Sequence, residues 1–222
     1  VHQAVHLRGC KFASSAYIMS PALEGAFTMV MGHHSYHHDT SAFPYSYLIE
    51  KEGHSHLMPG ANLTSFGAVR DIEKWPSRDR RTVCRDIINF EEYNPYVAGA
   101  MLEAVNILHE LEERDPDAQV YTYNKAIIRA TALRRGLKLY NKAIVAALGA
   151  MLGKGGFDPH YDGSGRWLDL AGQYITRREV AAILDAVDRG ELTTPAAVDN
   201  RFRVFAVHYD DYAHSWAKQV YA

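Results

Sequence analysis

The chain has 222 residues, 24 Lys and Arg against 26 Asp and Glu, and a formal net charge of −2. With 47% hydrophobic and 23% charged residues, it has the composition of a globular protein rather than a disordered, collagenous or disulfide-stapled one. The near-neutral balance gives no global field toward nucleic acid or an anionic membrane, and the longest apolar run, Ala143 to Leu152, is too short to span a bilayer.

Two cysteines, Cys10 and Cys84, with no CxxC spacing, fit a reducing compartment, and a cytoplasmic location is expected. Asn62-Leu63-Thr64 has the form of a glycosylation sequon. The chain opens Val1-His2-Gln3 without a Met or a helix cap, which suggests the C-terminal fragment of a longer protein.

Texture divides the sequence near residue 92. Residues 1–92 hold eight of the twelve histidines, and 93–222 hold the long helical patterns. In the opening stretch, positions 4, 10, 16, 22 and 28 are Ala4, Cys10, Ala16, Ala22 and Thr28, all small. Phe12, Ile18 and Val30 precede positions 16, 22 and 34 by four residues. A six-residue period of this kind is the pattern of a hexapeptide repeat, one short strand and turn per repeat, stacked into a parallel β-helix. Ala-rich strands of a sandwich are the other reading. His6 and Glu24 break the apolar register.

Residues 41–92 read as irregular. Phe43–Ile49 and Asn62–Val69 are candidate strands, Leu57–Gly60 a strand end and turn, and Arg70–Arg81 a charged loop or broken helix. Asn94-Pro95 then supplies a cap and a first-turn proline for a helix with Val97, Met101, Val105, Leu108 and Leu111 on one face. A second helix is expected from about Val120 to Leu152, with a stripe of Leu137, Tyr140, Ile144, Leu148 and Met151. Gly153–Gly165 reads as a loop. Thr176-Arg177-Arg178-Glu179 forms a capping box for a helix closed by Gly190, and Thr194-Pro195 opens one last helix.

Three groups of residues could carry chemistry. The run Gly32-His33-His34-Ser35-Tyr36-His37-His38-Asp39 could pair histidines on a metal, but either backbone geometry gives at most pairs, so a further ligand must come from elsewhere. A histidine oriented by a carboxylate is a general base, and His34 with Asp39 makes such a pair if the chain turns between them. Segment 70–85 carries six cations and three anions, and its arginine forks beside Trp75 suit a phosphorylated or nucleotide-bearing ligand, or else an ion-pair network that pins a loop. Arg134, Lys138 and Lys142 read as a solvated helix face.

The phrases Asp39-Thr40-Ser41, Phe43-Pro44-Tyr45-Ser46-Tyr47, Arg70-Asp71, Lys74-Trp75-Pro76, Arg78-Asp79-Arg80-Arg81, Ile88-Asn89-Phe90 and Asp169-Leu170-Ala171-Gly172 resemble one uncharacterised, mainly bacterial family, a domain of unknown function. The resemblance implies a left-handed β-helix of hexapeptide repeats followed by a helical region. It also implies kinship with acyltransferases and sugar nucleotidyltransferases, whose trimers place sites between subunits, so a homo-oligomer is expected.

The fold expected is therefore the end of a left-handed parallel β-helix, then irregular strands and loops over residues 1–92, then an α-helical region over 93–222. The function expected is a transferase-like enzyme acting on a sugar or sugar nucleotide, or alternatively a non-catalytic binding or scaffold module. His34 and Asp39 are the catalytic candidates. Arg70, Asp71, Lys74, Trp75, Arg78 and Arg81 are the candidates for binding a phosphorylated ligand. No metal or cofactor is assigned, and neither nucleic acid nor a membrane is expected as a partner.

Overall fold

The computed structural model describes residues 2–64, 66–154 and 157–222. Ser65, inside the strand expected over Asn62–Val69, and Gly155 and Gly156, inside the loop expected over Gly153–Gly165, lie outside the described residues. The chain forms two compact units. One gathers Val1–Trp75 with Ala100–Ile144, and the other Pro76–Gly99 with Val145–Ala222.

The first unit opens on short strands: β1 (Val5–His6), β2 (Lys11–Phe12), β3 (Tyr17–Ile18), β4 (Leu23–Glu24), β5 (Met29–Met31) and β6 (His33–His34). They pair in parallel, β1 with β4, β2 with β5 and β3 with β6. The longer strands β7 (Tyr47–Lys51), β8 (His54–Met58), β9 (Val120–Tyr123) and β10 (Ala126–Arg129) extend one of these pairs into a six-stranded sheet of order β2-β5-β7-β8-β10-β9.

The left-handed parallel β-helix is thus not the fold. The sheets are short and mixed, with β7–β8 and β9–β10 antiparallel inside the largest one. Direction reverses at two-residue turns whose residues both have positive φ, Glu52-Gly53 (55° and 78°) and Asn124-Lys125 (43° and 68°). That backbone matches the twist of an antiparallel hairpin. A spacing of small residues carries no information about such turns. Nor does every expected inward apolar residue point inward: Val30 is fully buried, but Phe12 is 41% exposed.

Helix α1 (Phe66–Arg78) follows a 3-10 turn at Ala61–Thr64; a strand is expected over Asn62–Val69, and of the charged loop or broken helix expected over Arg70–Arg81 it is a helix that forms, as far as Arg78. Helix α2 (Pro95–Arg114) starts as its cap predicts, with Asn94 Oδ1 accepting from the Val97 amide at 2.9 Å. It buries Val97, Met101, Leu108 and Leu111. Helix α3 spans Ala130–Leu152 only, because β9 and β10 occupy the first third of the expected helix. In the first unit, the Tyr140 hydroxyl donates to the Pro44 carbonyl at 2.7 Å and accepts from the Gly60 amide at 3.0 Å.

The second unit contains the hairpin β11 (Trp167–Leu170) and β12 (Gln173–Thr176), turned at Ala171-Gly172, again with both φ positive. Helix α4 (Arg177–Asp188) begins at the expected capping box, Thr176 Oγ1 accepting from the Glu179 amide at 3.1 Å. The last expected helix is two, α5 (Pro195–Val207) and α6 (Tyr209–Tyr221), broken at His208. No helix among the described residues is long and apolar enough to cross a membrane.

Candidate functional site

Strand pairing decides which histidines meet a carboxylate. In the β1–β4 ladder His6 and Glu24 are direct register partners. Glu24 lies on a buried position with no exposed surface, and its Oε2 pairs with Nδ1 of His6, whose side chain is 41% exposed. His38 closes the other side. Its Nε2 is 3.2 Å from Glu24 Oε1, within ion-pair distance but without hydrogen-bond alignment, and its Nδ1 is 3.2 Å from the Tyr36 carbonyl. One buried carboxylate therefore stands between a buried imidazole and a half-exposed one.

A carboxylate on Nδ1 requires the proton there, which leaves Nε2 of His6 as the nitrogen that accepts a proton. This arrangement can perform general acid–base chemistry. Cys10 is a poor nucleophile: burial first and Glu24 second push its thiol up to about 12. Both cysteines are free thiols.

His34 and Asp39 are not brought together. His34 is fully buried, with Nε2 3.0 Å from the Met31 carbonyl and Nδ1 2.8 Å from Ser55 Oγ. Donation to the carbonyl puts the proton on Nε2, so the serine hydroxyl donates to Nδ1 and both nitrogens are engaged. Burial also holds the imidazole below its ordinary pKa. Asp39 spends Oδ1 on the amide and hydroxyl of Ser41, at 3.0 and 2.6 Å. His33 and His37 are exposed while His34 and His38 are buried. Among the described residues no group of three or more His, Cys, Asp or Glu is placed to hold a metal ion.

The candidate phosphate residues are divided between the units. In the first, Asp71 pairs with Lys11 and stands 3.5 Å from Arg70 Nε, while Lys74 lies one turn beyond Arg70. Trp75 is 59% exposed and, with Asp71, Lys11 and Phe27, lines a crevice of about 20 Å3, no larger than a water needs. In the second, Arg78 ends α1, and Arg81 clamps Asp79 through Nη2 and Nε at 2.6 and 2.9 Å. That clamp lowers the Asp79 carboxyl to about 2. The sequon Asn62-Leu63-Thr64 is not a surface acceptor, since Asn62 is buried and its amide donates to the Phe27 carbonyl at 2.7 Å.

Sequence reasoning missed His6 and Glu24, yet it noted both as breaks in an apolar register. They lie eighteen residues apart, the same offset that pairs β2 with β5. Two polar breaks that fall opposite one another in a ladder were the available signal.

Residues 1–112 match the family model described as domain of unknown function DUF4954, and residues 157–222 match that of domain of unknown function DUF6819. No curated protein and no solved structure matches the chain. These matches agree with an uncharacterised family and give no hexapeptide repeat.

Proposed function

The chain belongs to the DUF4954 family, whose description supplies no activity, and we propose that it is a transferase-like enzyme acting on a sugar or sugar-nucleotide hydroxyl, with His6 as general base and Glu24 as the residue that orients it. One observation carries this reading: a fully buried carboxylate, Glu24, is paired to a histidine that reaches solvent. Nε2 of His6 takes the proton from the acceptor hydroxyl, and the Glu24 carboxylate stabilises the imidazolium that forms. The acceptor oxygen then attacks the acyl carbon or the α-phosphorus of the donor, the bond from that atom to the donor's thiolate or pyrophosphate breaks, and the imidazolium returns its proton to the departing group or to solvent. The acid–base pair comes from the geometry; the sugar class was expected through kinship with β-helix transferases, a fold this chain does not share, and the panel below tests it.

The test is turnover of a panel of sugar and sugar-nucleotide acceptors with acyl and nucleotidyl donors. His6→Asn and Glu24→Gln should each lower turnover at least 100-fold, the scale of a positioned acid–base group, while the fold is kept. Turnover that survives His6→Asn overturns the assignment, and a folded chain that turns over no member of the panel overturns the enzymatic reading.

A scaffold function has its own support in the seating of α1. Asp71 pairs with Lys11 on β2, and Trp75 closes a crevice too small for any ligand. On that reading Trp75→Ala lowers the melting temperature, and no member of the panel shifts it.

A further inference from the structure

We propose that the outer face of the six-stranded sheet, where β10 runs into α3, is a binding site for a phosphorylated small molecule. A groove of about 410 Å3 lies there, inside the range that small-molecule sites occupy. Its position follows from strand register. Ile49 stands opposite His56 across β7–β8, and His56 opposite Ile127 across β8–β10. Alternation along each strand then puts Lys51, Ile49, His56, Met58 and Arg129 on one face, while Leu48, Ser55 and Ile128 point into the core and are buried. Arg135 reaches the same groove from the second turn of α3.

The chemistry of the lining is one-sided. Ile49 and Met58 give an apolar floor, and Lys51, Arg129 and Arg135 give three positive charges. No Asp or Glu is among the described lining residues. The cations are only lightly engaged by the protein. Lys51 is 3.7 Å from Glu52 in an exposed pair, of the kind that contributes little. Arg135 Nη2 donates to Thr64 Oγ1 at 3.3 Å, one bond from a head group with five N–H. Burial first, then Arg129, His54 and Lys51, hold the His56 imidazole below its ordinary pKa, while Glu52 opposes them.

Three cations around an open groove of this size match the two or three negative charges of a phosphate monoester or diphosphate, and arginine forks suit its oxygens. The apolar floor suits the body of the ligand. A nucleic acid would need the positive charge to continue beyond the groove, and the chain carries a net charge of −2. The inference does not rest on His6 and Glu24, and its test reads binding rather than turnover.

Calorimetric titration of the 222-residue chain with pyrophosphate, ADP and adenosine tests it. Pyrophosphate and ADP should bind, and adenosine should not. Arg129→Gln and Arg135→Gln should each weaken binding at least tenfold. Arg134→Gln should leave it unchanged, because Arg134 is paired with Glu112 at 2.8 Å and does not line the groove. Lys51→Gln, at an exposed strand end, serves in the same role if an arginine variant fails to fold. Equal affinity in the groove variants overturns the proposal, as does the absence of binding by both phosphate probes. Binding of a DNA oligonucleotide through these residues, with neither small probe bound, would identify a polyanion surface instead and also overturn it.

Discussion

Removing a single oxygen from the first unit should be costly. The Tyr140 hydroxyl is fully buried, donates to Pro44 O at 2.7 Å, accepts from Gly60 N at 3.0 Å and lies 3.1 Å from Ser46 Oγ. Tyr140→Phe keeps the ring, so the packing contribution is nearly unchanged and the loss is polar. It strands a buried carbonyl and a buried amide, each worth about 1–3 kcal/mol when orphaned. Ser46 Oγ offers partial relief, since it is already 3.3 Å from Gly60 N and 3.4 Å from Pro44 O. The net expectation is about 2–3 kcal/mol, equivalent to roughly 5–10 °C in melting temperature for a chain of this length.

Hydrogen exchange reads the change at its source. The Gly60 amide should exchange roughly 30- to 150-fold faster, at a factor of ten for each 1.4 kcal/mol, and urea unfolding should give the matching shift in midpoint. Ser46→Ala combined with Tyr140→Phe should cost more than the two single losses together, because each hydroxyl partly replaces the other. A Tyr140→Phe variant within about 0.5 kcal/mol of the parent, the range of an ordinary surface change, would refute the view that this hydroxyl holds the Pro44–Gly60 corner.

Two further outcomes follow from the same kind of contact. Burial lowers the His34 pKa from its ordinary 6.5, so below that value the unfolded chain binds a proton that the folded chain resists. The contribution is complete above pH 6.5 and is lost as pH falls from there toward the folded-state pKa; urea midpoints taken across this window should slope less in His34→Gln, and an unchanged slope counts against the burial. In the second unit, a Cβ on Gly163 would overlap the Tyr212 carbonyl oxygen and come within 2.7 Å of its carbon, so Gly163→Ala should cost about 2–3 kcal/mol by calorimetric melting, and a neutral result would mean that the loop and α6 are not in this contact.

The parts of the fold legible in the sequence are those governed by neighbours in the chain. Asn94-Pro95, Thr176 with Glu179, and Thr194-Pro195 each name a helix start because a cap satisfies amides within three residues. The hairpins were not legible. Asn124-Lys125 has no glycine and sits among residues that suit a helix as well as a strand, so residues 120–129 read as the start of a helix. Direction in the large sheet depends on such turns, which is why small residues at every sixth position suggested an architecture the chain does not adopt.

The candidate site shows the same limit. His34 and Asp39 are five residues apart and look like partners, yet one side chain enters the core and the other closes a turn on Ser41. His6 and Glu24 are far apart in sequence, and only the β1–β4 register brings them into contact. The groove beside β10 was out of reach for the same reason: Lys51, Arg129 and Arg135 share no motif, and sheet order alone collects them.

The first unit is also discontinuous, which has a consequence during synthesis. Strand β8 finds its second neighbour, β10, only after the chain has grown past Arg129, and the Pro44 carbonyl and Gly60 amide wait for Tyr140. Between Met58 at the end of β8 and Arg129 at the end of β10 the ribosome adds 71 residues, which at about 5–20 residues per second takes roughly 4–14 s. For that interval the β8 edge is open to the first strand it meets, including one from a neighbouring nascent chain. A truncation that stops at Trp75 should therefore aggregate, and coexpression of residues 100–144 as a separate segment should reduce it.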